Sequence, residues 1–194
     1  MSEGPTPFGA EQPLEPEADT ELDEAAAPRE HAAGDFFVPD GVALLEGRPR
    51  GRRPVAVVVS RFNGELTKAM LERALSELEE LGVPRPSVTV MPVPGAFELP
   101  LAAMALAKTR QYACVVALGC VIRGETPHFD YIAGEAASGL QLAALETGVP
   151  VTFGVLTVET RAQAEARLDK AAEAVRSGLE MADAFVQLRD AATS

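Results

Sequence analysis

The 194-residue sequence contains no tryptophan, two cysteines and two histidines, and aromatic residues make up 5% of it. Cys114 and Cys120 lie six positions apart in one apolar run. If that run is a strand they are about 20 Å apart, too far for a disulfide bond, so we expect two reduced thiols. No apolar run approaches the roughly 20 residues of a membrane span, and the N-terminus lacks the basic and apolar parts of a signal peptide. These absences predict a cytoplasmic protein with no membrane partner.

Basic residues are also scarce, and the acidic ones are unevenly distributed. Residues 1–40 contain eleven Asp and Glu residues and one Arg, so they carry most of the formal net charge of −12. The remainder of the chain is almost neutral and offers no basic stripe to a phosphate backbone, and the acidic segment would repel one. We therefore expect no nucleic-acid partner.

Several motifs of cofactor-dependent and metal-dependent enzymes are missing. The sequence has no Walker loop, no GxGxxG, no HExxH and no CxxC. Nucleotide hydrolysis, dinucleotide binding and a zinc site therefore have no support from the sequence.

The residues that are present divide the chain into three parts. Residues 1–34 are rich in Pro, Glu, Asp and Ala and cannot bury enough apolar surface to offset the entropy of ordering, which predicts a disordered acidic tail. Residues 35–53 form an N-terminal arm and linker. Within it, residues 42–46 can form a short strand that pairs with an edge strand of this sheet or of a neighbouring subunit's sheet. Residues 54–190 form one α/β domain.

The domain alternates short β-branched apolar runs with helical patterns. Strands are predicted over 55–60, 88–91, 114–119 and 151–156, and helices over roughly 65–82, 97–109, 127–147 and 160–188. This alternation indicates a parallel sheet covered on both faces, so we predict a three-layer α/β/α sandwich, flavodoxin-like, with a four-stranded parallel sheet. Thr160 with Gln163 predicts a capping box for the last helix, and Thr126 with Pro127 is typical of the start of the third.

Unusual residues collect at the carboxyl ends of these strands, where open parallel sheets bind ligands. His128, the only histidine of the domain, follows the third strand and is flanked by Arg123, Glu125, Thr126 and Asp130. An imidazole carries protons near neutral pH, and the N–H groups and hydroxyl of a turn at a helix start can hold an anion. The pattern indicates acid–base chemistry on a phosphorylated small molecule, although a histidine that only caps or packs explains it equally well.

Other candidates at this edge each have a structural alternative. Phe62 can stack on a planar ring, and Phe153 can do the same, although a core position explains Phe153 better. Glu98 follows a turn at Gly95 and can either bind hydroxyl groups or simply favour the start of a helix.

Charged and nucleophilic candidates follow the third and fourth strands. Arg167 and Lys170 are three positions apart on the last predicted helix, so they can meet one phosphate or form a solvated face. Cys120 lies at a strand end, but no second histidine of the domain could orient it as a nucleophile.

Taken in order, the loops at this edge resemble the lumazine synthase family of riboflavin biosynthesis. The resemblance spans residues 53–188 and depends on VVVSRFN, VPGAFELP, LGCVIRGETPHFDYI, GVPVTFGVLT and KAAEAVRSGLEMA. It implies a transferase that makes 6,7-dimethyl-8-ribityllumazine by condensing 5-amino-6-(D-ribitylamino)uracil with 3,4-dihydroxy-2-butanone 4-phosphate. Phosphate and water are released, and neither a cofactor nor a metal is required.

The resemblance also implies a role for each residue of the site. His128 would be the catalytic proton carrier. The ribityl-pyrimidine substrate would be bound by Phe62, Ala96, Phe97, Glu98, Cys120, Val121, Ile122 and Phe153. Its phosphorylated partner would be bound by Glu125, Thr126, Arg167 and Lys170. Phe153, Arg167 and Lys170 would come from the adjacent subunit of a homo-oligomer, so a monomer would be inactive.

One segment departs from the family pattern. Members usually have a Gly-rich and Lys-rich stretch that breaks the last helix in two, whereas Arg167-Leu-Asp-Lys170 is short and free of glycine. Apolar residues keep helical spacing through this segment, which predicts one continuous helix of up to about 42 Å. The family includes pentamers, decamers and sixty-chain shells, and the missing stretch is associated with shells. A pentamer or decamer is therefore favoured over a shell.

Two other functions are compatible with such a fold. A non-catalytic protein that binds lumazine or flavin, or acts as a scaffold, would fit the altered segment at residues 167–170. A flavodoxin-like electron carrier is disfavoured because the first loops contain neither Trp nor Tyr. Turnover of the two substrates would distinguish the enzyme from the binding protein.

Overall fold

The structure is a computed structural model that describes residues 37–51 and 53–193. The chain divides into two units, Met1–Asp35 and Phe36–Ser194, and everything below concerns the second. The predicted disordered tail, residues 1–34, lies outside the described residues. Within the described ranges, no helix is long and apolar enough to cross a membrane.

Four parallel strands form one sheet in the order β2-β1-β3-β4. The strands are β1 (Val55–Ser60), β2 (Val88–Val93), β3 (Val115–Ile122) and β4 (Val151–Val158). Each begins within one residue of its predicted start. β3 and β4 extend beyond their apolar runs, because backbone pairing continues from Cys120 and Leu156 to Ile122 and Val158. Because of this extension, the candidate site residues Cys120, Val121 and Ile122 belong to β3.

Helices cover both faces of this sheet. They are α1 (Gly64–Glu80), α2 (Leu99–Lys108), α3 (His128–Thr147), α4 (Arg161–Glu165) and α5 (Lys170–Thr193). Met70 of α1 and Val175 of α5 belong to the core on one face, and Leu99 of α2 and Leu140 of α3 belong to the core on the other. All four side chains are almost completely buried. The predicted three-layer α/β/α sandwich with a four-stranded parallel sheet is confirmed.

The prediction of one continuous last helix is wrong. α4 ends at Glu165 and α5 begins at Lys170, and in between the backbone N–H groups of Arg167 and Lys170 donate to carbonyls three residues earlier. Bonds of this kind tighten the chain and end a regular α-helix. With the break, Ala164 of α4 and Val175 of α5 are both buried in the core on this face of the sheet, and both helices contact β4. Tertiary burial therefore overrides the helical spacing.

The starts of α3 and α4 differ in how well the sequence predicted them. The capping box of α4 is confirmed, because Thr160 Oγ1 accepts from Gln163 N at 3.2 Å and Gln163 Oε1 accepts from Thr160 N at 3.3 Å. The prediction for α3 is wrong by one residue, because Pro127 rather than Thr126 is its N-cap. Pro127 already has helical angles, and no side chain caps this helix start.

Residues 42–46 do not form a strand within the chain, contrary to the prediction that they pair with its own sheet. The arm instead follows the end of α5. Glu46 O accepts from Gln187 Nε2 at 2.9 Å, and Arg48 N donates to Asp183 Oδ2 at 3.0 Å. These bonds occupy backbone groups that a strand partner would need. Pairing with a neighbouring subunit stays a prediction.

Both cysteines are free thiols, as predicted, and both are buried. Cys114 lies directly before β3, and its Sγ faces Gly178 of α5, where an added Cβ would lie 3.1 Å away. Burial raises the pKa of the Cys114 thiol to about 12.

Because Cys114 is buried, we expect alkaline pH to lower the free energy of unfolding. The folded thiol keeps its proton until its raised pKa, whereas the unfolded thiol releases it near the ordinary value of 9.0. Between the two values the unfolded state binds fewer protons, so the free energy of unfolding falls as pH rises. The expected loss from about pH 7 to about pH 10 is about 1.4 kcal/mol.

Denaturant unfolding of the wild type and of Cys114→Ala, each at both pH values, measures this contribution. Other groups titrate in both proteins, so the difference between their two losses isolates the thiol. Equal losses in the two proteins would contradict the prediction.

Candidate active site

The loops after β1, β2 and β3 lie side by side at the carboxyl edge of the sheet, because these strands are neighbours. Arg61 N donates to Val93 O at 2.8 Å, and Asn63 Nδ2 donates to Cys120 O at 2.9 Å, so the β1 loop is bonded to both others. The chain places β2 on one side of β1 and β3 on the other. This reversal makes the edge between β1 and β3 the switch point at which parallel sheets bind ligands.

Asn63 was not among the predicted site residues. Its φ of 56° lies in the left-handed region, which asparagine tolerates better than most residues. Its side chain does not cap α1 but reaches across to the carbonyl of Cys120. An asparagine between a strand and a helix is a signal for a local cap, and the sequence alone does not reveal that it bonds to another strand.

Two exposed phenylalanines lie in the loops after β1 and β2. Phe62 is 69% exposed and Phe97 is 55% exposed, whereas phenylalanine is usually buried. Ala96 beside Phe97 is buried, and Glu98 Oε2 accepts from Gly95 N at 2.9 Å. This bond holds the short turn Ala96–Glu98 in place, so Phe97 presents its ring to the surface.

Cys120, Val121 and Ile122 form the end of β3. Cys120 is 1% exposed and belongs to the core beneath α1 and α5, while Val121 and Ile122 are half-buried on opposite faces of the sheet. Burial raises the pKa of the Cys120 thiol, and the charge of Arg161 lowers it in part. A buried, protonated thiol is a poor nucleophile. The contact of Cys120 with the β1 loop is made by its backbone carbonyl, which accepts from Asn63.

His128 begins α3, and its imidazole is exposed. Glu125 and Thr126 precede it in an exposed turn. Among the described residues, no group makes a hydrogen bond to the imidazole, so His128 neither caps nor packs as the structural alternative required. The structure brings His128, Glu125 and Thr126 to the same edge as Phe62 and Phe97.

Arg123 connects the end of β3 with the first turn of α3 and with the end of β4. Its guanidinium donates to both carboxylate oxygens of Asp130, at 3.0 and 3.2 Å, and its Nε lies 2.9 Å from Glu159. It also lies 4.1 Å from the ring centroid of Phe129. Hydrogen bonds to Asp130 and then to Glu159 raise the pKa of Arg123. These contacts hold the turn that carries His128.

The pairing of Arg123 changes the expectation that this residue helps to hold an anion beside His128. The sequence placed Arg123 and Asp130 beside His128 among groups able to hold an anion, but the structure pairs the two with each other. With a second carboxylate at Glu159, the positive charge of Arg123 is already balanced. An anion at this turn would therefore depend on its backbone N–H groups, on the Thr126 hydroxyl and on cations from elsewhere.

Phe153 lies away from this edge within the chain. It pairs with Ala117 in the middle of the sheet and is 45% exposed. The end of β4 is five residues further on, which is roughly 16 Å along the strand. Phe153 therefore lies partly exposed on an edge strand and not in the core. The prediction that a core position explains it best is wrong.

Arg167 and Lys170 lie on the other face of the sheet from α3, which begins with His128. Arg167 Nη1 donates to Gln163 O at 3.0 Å in the turn after α4, and Lys170 Nζ lies 2.7 Å from Glu173. The helix break separates them, so the prediction that they share one helix face is wrong. Both belong to the layer of α1 and α5, opposite the layer of α3. Their part in a site with His128 would require a neighbouring subunit, which stays a prediction.

No group of three or more His, Cys, Asp or Glu residues is placed to hold a metal ion within the described ranges. The absence of a metal and of a cofactor from the reaction stays a prediction.

The fold and the carboxyl edge define the class of protein. It is an α/β sandwich whose carboxyl edge brings together exposed aromatic rings, an exposed histidine and an exposed turn at a helix start.

Comparison with known proteins identifies the family. The model of the 6,7-dimethyl-8-ribityllumazine synthase family matches residues 53–186. Two relatives named 6,7-dimethyl-8-ribityllumazine synthase, from two strains of Thermus thermophilus, are each 51% identical over 132 residues, which are 66% of this chain and 84% of the relative. The chain belongs to the 6,7-dimethyl-8-ribityllumazine synthase family. It is a transferase of riboflavin biosynthesis, and the resemblance predicted from the sequence is confirmed.

Proposed function

We propose that this chain condenses 5-amino-6-(D-ribitylamino)uracil with 3,4-dihydroxy-2-butanone 4-phosphate, releasing phosphate and water. The observation that carries the proposal is the family match over residues 53–186, which includes every loop at the carboxyl edge. The exposed imidazole and the two exposed phenylalanines among these loops support it.

Each loop supplies one part of the proposed chemistry. Phe62 stacks on the pyrimidine, and the turn of Ala96, Phe97 and Glu98 holds the ring and the ribityl chain together with the end of β3. His128 moves protons as the amine attacks the ketone, as phosphate leaves and as the second ring closes. The turn at Glu125 and Thr126 meets the phosphate. Much of the rate comes from holding two substrates face to face.

The complete site lies between two subunits in this proposal. Phe153, Arg167 and Lys170 reach the carboxyl edge of the adjacent subunit, and Arg167 binds the phosphate. Exposed apolar side chains on β2, α2 and α3 support assembly, among them Met91, Leu101 and Leu145. The short segment at residues 167–170 favours a pentamer or decamer in the cytoplasm over a sixty-chain shell. Light scattering distinguishes these masses.

The proposal predicts that His128→Ala slows the condensation while ribityl-pyrimidine binding is largely retained. The expected loss of kcat is about tenfold, below the roughly 10²–10⁴-fold typical of a general acid–base group, because water can also carry protons at this exposed position. Lumazine formation is followed by absorbance, and binding of the ribityl-pyrimidine is measured by calorimetry.

Arg85→Gln is a suitable control, because Arg85 pairs with Glu79 on the surface at 3.0 Å and precedes β2, at the opposite end of that strand from the loop of Phe97. A wild-type chain that forms no lumazine from the two substrates would refute the proposed function. An unchanged kcat in His128→Ala would refute the role of His128 alone.

A further inference from the structure

A second concave site lies at the amino edge of the sheet, opposite the candidate active site. It is a cavity of about 260 Å³, formed where the chain enters β1, β3 and β4 and closed by the end of α5. Arg53, Ala113 and Pro150 mark these three entries. β3 alone has eight residues, so about 26 Å separates the two edges. None of the loops assigned to the condensation reaches this cavity.

The lining of this cavity is strongly basic. Four arginines line it: Arg50, Arg53, Arg110 and Arg189. Asp183 is its one acidic lining residue, and its carboxylate is shared with Arg48 N at 3.0 Å and with Gln187 Nε2 at 2.9 Å, while Arg50 Nε is 3.9 Å away. Asp183 faces Arg50, and Arg53 and Arg110 add two further positive charges to the lining. A concave, positively charged surface attracts anions.

Arg53 and Arg110 are the two cations that carry the argument. Within the part of the chain that the structure describes, neither has a carboxylate partner. Arg53 Nη2 donates to the backbone carbonyl of Arg110 at 3.3 Å, which brings the two residues together. Both side chains line the same cavity, so an anion bound there would offset two positive charges and could accept several hydrogen bonds.

The backbone of Arg110 adds a separate observation. Arg110 follows the end of α2 with a φ of 58°, a conformation in which glycine is the usual residue. An arginine is disfavoured there by its Cβ. Arg110 thus lines the cavity although its backbone conformation is disfavoured for arginine.

The floor and one wall of the cavity are apolar. Leu179, Ala182, Phe185 and Val186 of α5 contribute to it, and Tyr112 lies at its side. Basic groups over an apolar floor suit a ligand with a charged end and a hydrophobic body rather than a bare ion. The two aromatic side chains favour a planar ring.

We propose that this cavity binds a small aromatic phosphate monoester, with the phosphate between Arg53 and Arg110 and the ring against Phe185 and Tyr112. The planar guanidinium groups match the phosphate oxygens, which a single lysine would not do. The site is independent of the condensation site and would give this transferase a second ligand.

Phenyl phosphate is the probe, titrated calorimetrically into the full chain. Arg110→Gly is the sharpest variant, because it removes one guanidinium while glycine accepts the positive φ, so the melting temperature should not fall. We expect Kd to rise at least about tenfold, and Arg53→Gln should have the same effect. Arg85→Gln, a surface arginine already paired with Glu79, is the matched control and should bind as the wild type does.

Further titrations distinguish this site from the condensation site. Arg167→Gln should leave phenyl phosphate binding at the cavity unchanged. Loss of binding in Arg167→Gln but not in Arg110→Gly would place the probe at the condensation site and overturn the proposal. Equal weakening by Arg85→Gln, or no binding to the wild type, would also overturn it. Inorganic phosphate should bind more weakly than phenyl phosphate, and equal affinity would refute the role of the apolar floor.

Discussion

Replacing Arg123 by methionine should lower kcat of the condensation by about 10²-fold, a larger loss than that expected for His128→Ala. The guanidinium of Arg123 is bonded to both oxygens of Asp130 and to Glu159, and it lies over the ring of Phe129. Methionine fills similar space but makes none of the polar contacts. Asp130 and Glu159 would then face each other's charge without a cation between them.

The expected loss exceeds that of His128 because two parts of the proposed site depend on this arginine. Its contacts hold the first turn of α3, which carries the imidazole, and also the preceding turn, which is proposed to meet the phosphate. A shift of about 1 Å in reacting groups is enough to cost a factor of this size. Arg123 itself would be a positioning residue, because its charge is already balanced within the chain.

Steady-state kinetics and a pH profile of kcat test this role. Arg123→Lys retains the charge but not the fork that matches Asp130, so its kcat should lie between those of the wild type and Arg123→Met. Arg85→Met removes a surface arginine of similar pairing and is the matched control. If Arg123→Met changes KM alone, or leaves both kcat and its pH profile unaltered, Arg123 does not position the acid–base group.

Replacing Gly154 by valine should lower the free energy of unfolding by about 3 kcal/mol. A Cβ at this position would lie 2.7 Å from Leu118 Cδ2, 2.9 Å from Ala117 O and 3.2 Å from Ala174 Cβ. Ala117 O belongs to the backbone of β3, so it cannot move without disturbing the pairing with β4. The added side chain would instead push α5 away from the sheet.

Denaturant unfolding of both variants and of the wild type measures this effect. Gly64→Val is the control, because a Cβ at Gly64 would have no atom within 4 Å. Its expected change is within about 0.5 kcal/mol of zero. A Gly154→Val protein as stable as the wild type would show that α5 does not need the close approach that glycine allows.

The sequence predicted the layers of this protein well because the signals are local. Val55–Ser60 and the other β-branched runs mark their strands by composition, and the alternation with helical patterns implies a parallel sheet. The site at the carboxyl edge follows from that topology, and His128 and Phe62 both lie there exposed. The family match covers residues 53–186, which include these loops.

The errors occurred where the outcome depends on residues far apart in the chain. The spacing around Leu168 is helical, but the chain breaks there, and Ala164 and Val175 on either side of the break are buried in the same core. Residues 42–46 form no strand on the chain's own sheet, because the arm bonds to the end of α5. Their pairing with a neighbouring subunit stays a prediction.

By itself, therefore, the sequence determined the sandwich and the family, and it predicted a site at the carboxyl edge. Only the tertiary structure decided that Arg123 is neutralised by Asp130 and Glu159, that Asn63 joins two loops and that four arginines meet at the opposite edge. The physical reason is the separation along the chain over which each interaction acts. Apolar periodicity and turn chemistry act between residues close in the chain, whereas the partner of a charge or an amide is chosen by the packing of strands and helices from distant parts of it.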